Sequence, residues 1–569
     1  MFQIYFGRSC VSTFFNTLKY FFFFFYFSAI YNLLCIIFDV TGSIGLRESV
    51  YATFLWLIPI LLFQKHAKKI AAYIGIFLWL GSLFSLNYFF LYGQEFSQSV
   101  IFIIFESNLV ESTEFLKTYF QWWIIPFIAA YSFLSYYFWK KLPEIKTSSK
   151  VIYLFIVFSL LVPFHKFLEL YYVEKKPYEI AVYKQMTRMQ ASTPWNIVLG
   201  YVNYKNDLNQ MEKLLERNST LKPVENLKDT YKDEASTLIL VLGESTNRNR
   251  MGIYGYNRDT TPNLDKLKDD LILFDNVYSP RPYTIEVLQQ ALSFADEKNP
   301  NLYLNKPNLI NIMKQAGYST YWITNQQTQT KRNTMLTTFS KMCDNQIYLN
   351  NNQKQNSYSY DEVVLEPFKN VLADTKVKKK FIVVHLLGTH NKYEYRYPKD
   401  FAVFDNYRID DNRLSDREKK YYNDYDNAVF YNDYVVSKII EDAKNSKDST
   451  ALLYLSDHGE EVFDNKNVKK LGRNEDAPTL SMYSIPFIIY QNSVFKEKIK
   501  DFKSLKKYTN REYSSSDLIY TFTDLAGLNF KEFDSSKSVI NEEFLEKPVL
   551  IGNPSNKNKL RDIKDIRNL

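Results

Sequence analysis

The pattern of apolar and polar positions divides the chain into two unlike parts. Up to about residue 170 the sequence is apolar and aromatic, and after that it is polar and rich in Lys, Asn and Asp. The first part contains five apolar stretches, most of them near the ~20 residues that a helix needs to cross a bilayer: residues 20–40, 50–63, 70–91, 119–139 and 151–168. We therefore predict an α-helical membrane domain of about five spans over residues 1–168.

The charges of the loops predict how these spans are oriented. The loop between spans three and four is acidic, whereas the loops between spans two and three and between spans four and five carry Lys65, Lys68, Lys69, Lys140, Lys141, Lys146 and Lys150. By the positive-inside rule the amino terminus is cytoplasmic, and an odd number of spans places the rest of the chain outside. In a bacterium, we expect an inner-membrane protein whose polar part lies in the periplasm.

The polar part begins with a charged segment and continues as alternating strands and helices. Residues 169–232 are short of strand patterns and are predicted to be a linker with surface helices at 171–189 and 207–217. Strands are then predicted at 238–242, 320–323, 381–386, 451–455 and 486–490, and helices at 262–269, 284–294, 307–316, 361–372 and 418–443. This alternation predicts an α/β sandwich over residues 233–569, with a mainly parallel sheet flanked by helices.

Charge and cysteine content narrow the possible functions. The net charge of +8 is a sum over two compartments, and the lysines look like topology signals and a solvated face, so no nucleic-acid partner is expected. Of three cysteines, only Cys343 lies in the exported part. One cysteine cannot form an internal disulfide, so this domain must rest on its core and on any metal it binds.

Two predicted strands end in residues that can bind a metal. Leu238 to Leu242 is followed by Gly243 and Glu244, and the strand at 451–455 is followed by Ser456, Asp457 and His458. The carboxyl ends of parallel strands meet at one edge of a sheet, where ligands bind. Each motif alone also fits a helix cap or a hydrogen-bonded Asp–His pair. Together they form a mixed carboxylate and imidazole set that suits Zn²⁺.

Thr284 and His390 are candidate catalytic residues. Thr284 follows a Pro-x-Pro framed segment at the predicted start of a helix, where a metal-bound hydroxyl would become a nucleophile and helix N–H groups would hold an anion. The alternative is an ordinary helix cap. His390 follows a strand and Gly388, and could bind phosphate or protonate a leaving oxygen. His385 lies within that strand and is more typical of a core residue.

These residues in combination resemble the membrane-anchored phosphoethanolamine transferases of the alkaline phosphatase and sulfatase superfamily. The resemblance covers essentially the whole chain and rests on Gly243-Glu244-Ser245, Gly255-Tyr256-x-Arg258, Thr284, Gly388-Thr389-His390 and Ser456-Asp457-His458-Gly459-Glu460. Further segments are similar to the branch that acts on phosphorylated heptose of the lipopolysaccharide core, among them Arg281-Pro-Tyr-Thr-Ile-Glu286 and Gly472-Arg-Asn-Glu-Asp476.

The resemblance implies a role for each matching position. Glu244, Asp457 and His458 match zinc ligands, Thr284 matches the nucleophile that also contacts zinc, and His390 matches a histidine on the substrate side. Ser107 and Glu111 match an element that contributes to binding the lipid headgroup, with Ser107 where Thr is usual. Asn325, Arg473, Asn474 and Glu475 are further candidates for substrate binding.

One position departs from the pattern of the family. Relatives commonly offer a further histidine after the Asp-His-Gly-Glu motif, but no histidine follows His458, and Ser481 stands where one would be expected. One zinc ion is therefore expected and a second stays open. Arg473, Asn474 and Glu475 could fill the space, and the guanidinium of Arg473 suits a phosphate.

The resemblance implies transfer of phosphoethanolamine from phosphatidylethanolamine, through a covalent intermediate on Thr284, to lipopolysaccharide, with a core heptose phosphate as the expected acceptor. Transfer to lipid A, periplasmic glucan or a protein is the alternative within enzymes. An inactive membrane-anchored binding protein is the alternative from another class. We expect a monomer in contact with membrane lipid.

Overall fold

A computed structural model describes the chain except for residues 1, 39–42, 93–95, 97–121, 146–148, 219–220, 328–333, 351–359, 406–408, 410, 557–558 and 568–569. The chain divides into two compact units, Met1–Asp207 and Leu208–Leu569. Ser107 and Glu111 lie outside the described residues.

The first unit is helical and apolar. Its helices are α1 (Phe2–Ile37), α2 (Ile44–Leu62), α3 (Ala67–Tyr92), α4 (Ile124–Lys140), α5 (Ser149–Leu161), α6 (His165–Leu168), α7 (Tyr178–Met189) and α8 (Trp195–Asn218), the last continuing into the second unit. Among the described residues, three helices are long and apolar enough to cross a membrane, and four if the bent pair Ile152–Leu161 and His165–Val173 is one span. This confirms a helical membrane domain. The count of five stays a prediction, because the fourth predicted span, 119–139, lies partly outside the described residues and α4 has only 17 residues.

The predicted linker contains more helix than its sequence indicated. The predicted helix at 171–189 is divided, because Glu169–Val173 forms a π-helical turn and α7 starts only after Pro177. The helix predicted at 207–217 is part of α8, which starts at Trp195. The first compact unit therefore ends inside the segment that we predict to be the linker.

A seven-stranded sheet organises the second unit. Its strands, in chain order, are β1 (Ser236–Gly243), β2 (Ile272–Leu273), β3 (Ser319–Gln327), β4 (Asn345–Asn350), β5 (Lys379–His385), β6 (Ser449–Ser456) and β7 (Phe487–Gln491). The spatial order is β2-β7-β6-β1-β5-β3-β4. β1 pairs in parallel with β5 and β6, and β3 pairs in parallel with β5 and β4, whereas β7 runs antiparallel to β6 and β2. The prediction of a mainly parallel sheet is confirmed.

Helices cover both faces of this sheet. They are α9 (Pro262–Lys266), α10 (Thr284–Ala291), α11 (Leu309–Gln315), α12 (Thr334–Lys341), α13 (Leu365–Ala373), α14 (Asp416–Lys444), α15 (Ser493–Lys498), α16 (Leu518–Leu525) and α17 (Ile563–Arg567). Short two-stranded pairs also form between Lys228–Asp229 and Leu528–Asn529, Asn276–Tyr278 and Glu512–Ser514, Glu461–Val462 and Leu471–Gly472, and Leu550–Ile551 and Arg561–Asp562.

Alternate residues of β1 enter two separate cores. Leu238, Leu240 and Leu242 pack in one core, and Ile239 and Val241 pack in the other. Because successive side chains of a strand point to opposite faces, an uninterrupted apolar strand is required at the centre of this sheet.

The lone cysteine of the exported part is inert by its position. Cys343 follows α12 and is buried in the first of these cores. Burial raises the pKa of its thiol to about 12, so the thiol stays protonated at neutral pH.

Candidate active site

Glu244 lies where β1 leaves the sheet, and a neighbouring loop holds it there. Its backbone oxygen accepts hydrogen bonds from the amide (2.9 Å) and the hydroxyl (3.1 Å) of Thr389. Gly388 has a φ of +56°, and a Cβ there would lie 2.6 Å from the backbone oxygen of Glu244. Only glycine allows this approach without displacing the turn. Ser245 has a φ of +61°, a strained conformation of the kind found at functional sites.

Asp457 and His458 follow β6, the strand next to β1, and so lie at the same edge. The amides of Ser245 (3.0 Å) and His458 (2.7 Å) both donate to Asp457 Oδ1. His458 Nδ1 lies 2.9 Å from the backbone oxygen of Gly459, which can only accept. The ring proton therefore belongs on Nδ1, and the lone pair of Nε2 faces the two carboxylates, as in metal-binding histidines.

Thr284 brings a hydroxyl to the same point. It is the first residue of α10, and the helix cap is Tyr283, without a side-chain hydrogen bond to the helix. The hydroxyl instead donates to Glu244 Oε2 at 3.0 Å and lies 3.4 Å from His458 Nε2. The reading of Thr284 as an ordinary helix cap does not fit this geometry.

Four features of this cluster fit a divalent cation. Ligand atoms of Glu244, Asp457 and His458 all lie within 4.8 Å of one another, and the three residues are buried. Asp457 Oδ2 is buried and, in the described part of the chain, accepts no hydrogen bond. With Glu460 and Arg473 the cluster holds three carboxylates and one guanidinium, a formal charge of −2 when all are ionised. Mixed oxygen and imidazole donors suit Zn²⁺.

The two carboxylates that face each other have pKa values shifted in opposite directions. Burial would raise the pKa of Glu244, but positive charge on neighbouring side chains, first on His458 when it is protonated and then on His390 and Arg473, outweighs burial and holds that pKa well below its usual range. When His458 is neutral, the permanent charge of Arg473 still favours the ionised form. Burial, together with repulsion from Glu244, raises the pKa of Asp457. Glu244 is thus the ionised partner of the Thr284 hydroxyl. A cation beside Asp457 would favour its ionised form as well.

Arg473 is the residue that reaches this cluster from the segment expected to replace the missing histidine. Its Nη1 lies against His458 Nε2 and 3.7 Å from Glu244 Oε1. Its Nε lies 3.2 Å from Oε2 of the buried Glu460. Because a guanidinium only donates hydrogen bonds, this contact agrees with an unprotonated His458 Nε2.

The two neighbours of Arg473 serve other contacts. Asn474 Oδ1 accepts from the amides of Asp476 (2.9 Å) and Ala477 (3.3 Å), so it closes a turn. Glu475 forms a bidentate pair with Arg281, three residues before Thr284, in which Nη2 lies 3.1 Å from Oε2. The pair joins the segment around Arg473 to the start of α10.

The remaining predicted residues lie near the cluster or are buried in the neighbouring strands. His390 follows the Gly388 turn and is half-buried. It lies close enough to Glu244 that a positive charge on its ring lowers the pKa of that carboxyl. Asn325 is fully buried at the end of β3, where its amide donates to Asp361 Oδ1 at 2.9 Å. His385 is buried, and burial lowers its pKa to about 4, in agreement with a core residue.

The structure gives a role to four residues that were not among the predicted site residues, although Ser245 and Glu460 belong to the motifs that carry the family resemblance. Ser245 Oγ donates to Glu244 Oε1 at 2.8 Å, and Gln326 Nε2 lies 3.4 Å from Glu244 Oε2. Asp361 accepts from the amides of residues 387 and 388, and Glu460 holds Arg473. Gln326 lies near the carboxyl end of β3 and Glu460 follows β6, which is a usable signal, whereas Asp361 gives none before the fold is known.

Comparison with known proteins first defines the class. A sequence profile of the sulfatase family matches residues 236–528, just over half of the chain. The full-length membrane protein lipooligosaccharide phosphoethanolamine transferase A of Neisseria meningitidis has the same fold, with a TM-score of 0.61 and 18% identity, covering 94% of this chain and 98% of that one. The fold and the metal-binding edge therefore define a membrane-anchored member of the sulfatase superfamily.

More similar relatives identify the family. Phosphoethanolamine transferase EptC of Escherichia coli is 46% identical, covering 94% of this chain and 93% of the relative, and CptA of Salmonella typhimurium has the same identity and coverage. The crystal structure of the C-terminal periplasmic domain of EptC from Escherichia coli, in complex with Zn, has a TM-score of 0.58 and 50% identity over 60% of this chain and 97% of that one. The chain belongs to the phosphoethanolamine transferase family.

Proposed function

We propose that this protein transfers phosphoethanolamine from phosphatidylethanolamine to lipopolysaccharide through a covalent intermediate on Thr284. The observation that carries the proposal is the Thr284 hydroxyl, hydrogen-bonded to an ionised Glu244 inside a buried carboxylate–imidazole cluster. Family membership supplies the transferred group and its donor. An inactive binding protein would have no need of this arrangement.

Zinc is the proposed cofactor, held by Glu244, Asp457, His458 and Thr284. When bound, it lowers the pKa of a coordinated hydroxyl and neutralises phosphoryl charge. Glu244 orients the hydroxyl through its Oε2, and the Nδ1 contact with the oxygen of Gly459 fixes the His458 ring. One zinc ion accounts for the formal charge of the cluster.

The first half of the reaction forms the intermediate. The Thr284 hydroxyl gives its proton to the Glu244 carboxylate to which it is hydrogen-bonded, and its oxygen attacks the phosphorus of phosphatidylethanolamine. The bond from phosphorus to the diacylglycerol oxygen breaks, and a protonated His390 gives its proton to the leaving oxygen. Arg473 carries a permanent positive charge beside Glu244, and its side chain is 17% exposed. It is therefore placed to hold a phosphoryl oxygen. The amino-terminal end of α10, which starts at Thr284, favours an anion at the same site.

The second half transfers the group from Thr284 to the acceptor, and we propose a phosphate of a core heptose. Similarity to CptA and EptC over 94% of the chain supports this branch. Lipid A, periplasmic glucan and protein are the alternative acceptors. Ser107 and Glu111 are proposed to contact the lipid headgroup, and Asn325, Asn474 and Glu475 to shape the substrate site.

The proposed arrangement places the catalytic domain, residues 233–569, in the periplasm, joined by the linker 169–232 to membrane helices in residues 1–168. A membrane anchor holds the site at the surface where the lipid donor is found and raises the effective donor concentration.

A test of the covalent step uses the full chain with labelled phosphatidylethanolamine. Thr284→Ala should abolish both transfer and the adduct on the peptide that contains position 284, whereas Thr284→Ser, which keeps a hydroxyl, should retain a detectable adduct. Mass spectrometry of that peptide is the measurement. An adduct of unchanged yield in Thr284→Ala would refute the assignment.

A test of the acceptor compares lipopolysaccharide from cells with and without the gene. The proposal expects one additional phosphoethanolamine on the core oligosaccharide and no change in lipid A. Mass spectrometry of the separated core and lipid A reads both at once. Modified lipid A beside an unmodified core would overturn the proposed branch and leave the transferase activity standing.

A further inference from the structure

A cavity of about 730 Å³ lies beside the loop that follows His390. One wall is a face of α14 that includes Asn423 and Asn427, the second is the loop 394–405, and the third is Tyr360. The volume lies within the range of small-molecule sites, and nothing in the proposed phosphoryl transfer uses it.

One wall of the cavity is continuous with the candidate catalytic histidine. The loop 394–405 starts four residues after His390, and Arg396 of that loop donates from Nε to the backbone oxygen of His390 at 3.2 Å. Asp361, the residue after Tyr360, accepts from the amide of Gly388 at 2.7 Å. A molecule in the cavity would therefore contact the loop that follows His390.

Charged side chains of both signs line the cavity, with Lys399 and Lys420 facing Glu394, Asp405 and Asp424, so the lining carries no excess of positive charge. Lys420 lies between Glu394 (3.0 Å) and Asp424 (2.6 Å), and the Tyr397 hydroxyl donates to Asp424 at 2.9 Å. With Phe404 and the other tyrosine of the lining, aromatic faces alternate with hydrogen-bonding groups of both kinds. Such walls match a ligand whose faces are C–H and whose edges are hydroxyls.

Walls of this composition disfavour the phosphate and the acyl chains of the proposed substrates. A phosphate would need an excess of positive charge, and an acyl chain would need apolar walls without buried polar groups. We propose that the cavity binds a sugar ring of the acceptor glycan and so presents the neighbouring acceptor group to the phosphorylated enzyme. The inference rests on the proposed transfer and names the part of the acceptor that is recognised.

The test fills the cavity without removing any of these contacts. Ala402 lines the cavity and is exposed, whereas the adjacent Val403 is exposed and does not line it. Ala402→Trp and Val403→Trp in the detergent-solubilised full chain form a matched pair. The probe is core oligosaccharide, released from lipopolysaccharide and dephosphorylated, and calorimetry measures its binding. We expect binding at least tenfold weaker in Ala402→Trp and unchanged in Val403→Trp.

A second measurement separates this proposal from the proposed function. Loading of Thr284 from labelled phosphatidylethanolamine should be the same in both variants and in the parent chain. Three results would each overturn the sugar site. They are unchanged oligosaccharide binding in Ala402→Trp, equally tight binding of a peptide probe by the parent chain, and a loss of Thr284 loading that parallels the loss of oligosaccharide binding. Parent chain that binds the oligosaccharide but never loads Thr284 would instead overturn the proposed function.

Discussion

Glu460 determines where the positive charge of Arg473 lies. Its carboxylate is buried, and burial raises its pKa to about 7 against the opposing attraction of Arg473. The pair places the guanidinium between this carboxylate and the metal-binding atoms of Glu244 and His458. Glu460 is therefore a positioning residue, acting on the reaction through Arg473.

Glu460→Gln should weaken zinc binding. The substitution removes one negative charge near the cation and leaves Arg473 without its nearest counter-charge, so we expect about tenfold lower affinity, or about 1.4 kcal/mol. Competition with a chromogenic chelator measures it at a pH well above the raised pKa of Glu460, where the carboxylate is ionised. Glu461→Gln is the matched control, because that buried carboxylate bonds instead to Thr479 (2.6 Å) and to the amide of Asn465 (2.9 Å). Equal weakening in both variants would contradict the role of Glu460.

The sequence predicted the metal-binding residues of the cluster better than the residues that hold the surrounding loops in place. Glu244, Asp457 and His458 could be found because acidic residues and a histidine directly follow apolar strands that share one edge. Asp361 could not, because it is distant in sequence and acts by accepting backbone amides that only the folded loop presents. Asn325 is fully buried and its amide donates to the same carboxylate, so its part in substrate binding stays a prediction.

At the scale of elements, α14 binds the start of α9 through the buried carboxylate of Asp433, beside the apolar core that holds Leu264. Asp433 Oδ1 accepts from the amide of Leu264 at 2.8 Å, and Oδ2 accepts from the amide of Asn263 at 2.9 Å. Burial outweighs these bonds and raises the pKa of Asp433 to about 7. The folded state therefore retains this proton more tightly than the unfolded state. The associated stability is complete below about pH 4 and is lost as the pH rises through about 7.

Asp433→Asn should remove this pH dependence. Between pH 4 and 7 the free energy of unfolding should fall more steeply in the parent chain than in the variant, by up to about 1.4 kcal/mol per pH unit. Denaturant unfolding of the full chain across that range gives both slopes. Asp416→Asn at the exposed start of α14 removes no buried charge and is the control. Parallel slopes for the parent and Asp433→Asn would show that Asp433 is ionised in the folded protein.

Strands were predictable where they are buried and apolar. All five predicted strands are present, and the ends differ by a few residues. β2 and β4 were missed, because β2 has two residues and β4 is polar and partly exposed. The residues of β7 do not indicate that it runs antiparallel to β6. Its direction is set by the path of the chain between the two strands. The helix predicted at 361–372 starts as a 3₁₀ turn, Asp361–Val364, before α13.

At the scale of the whole molecule, the metal cluster makes folding depend on zinc. Without a cation, the buried carboxylates of Glu244, Asp457 and Glu460 face one another, and burial raises the pKa of Asp457 and Glu460, so ionising all three is costly. Zinc at about 100 times its dissociation constant should add about 2.7 kcal/mol of stability, and a strong chelator should lower the unfolding temperature of the catalytic unit by about 5 °C. Differential scanning fluorimetry with chelator, and then with zinc restored, measures it. Asp457→Asn should respond less, and an identical response would contradict the ligand set.

The buried thiol of Cys343 makes the exported domain chemically silent towards thiol reagents. A domain of this size that needs no disulfide can fold under reducing conditions, so oxidising compartments and isomerases are not required for its production. Cysteines introduced one at a time into loops of this domain can then be labelled with Cys343 contributing no background. The number and direction of the membrane spans can be measured in the same way once Cys10 and Cys35 of the membrane domain are replaced, with Cys343 left in place under the sheet.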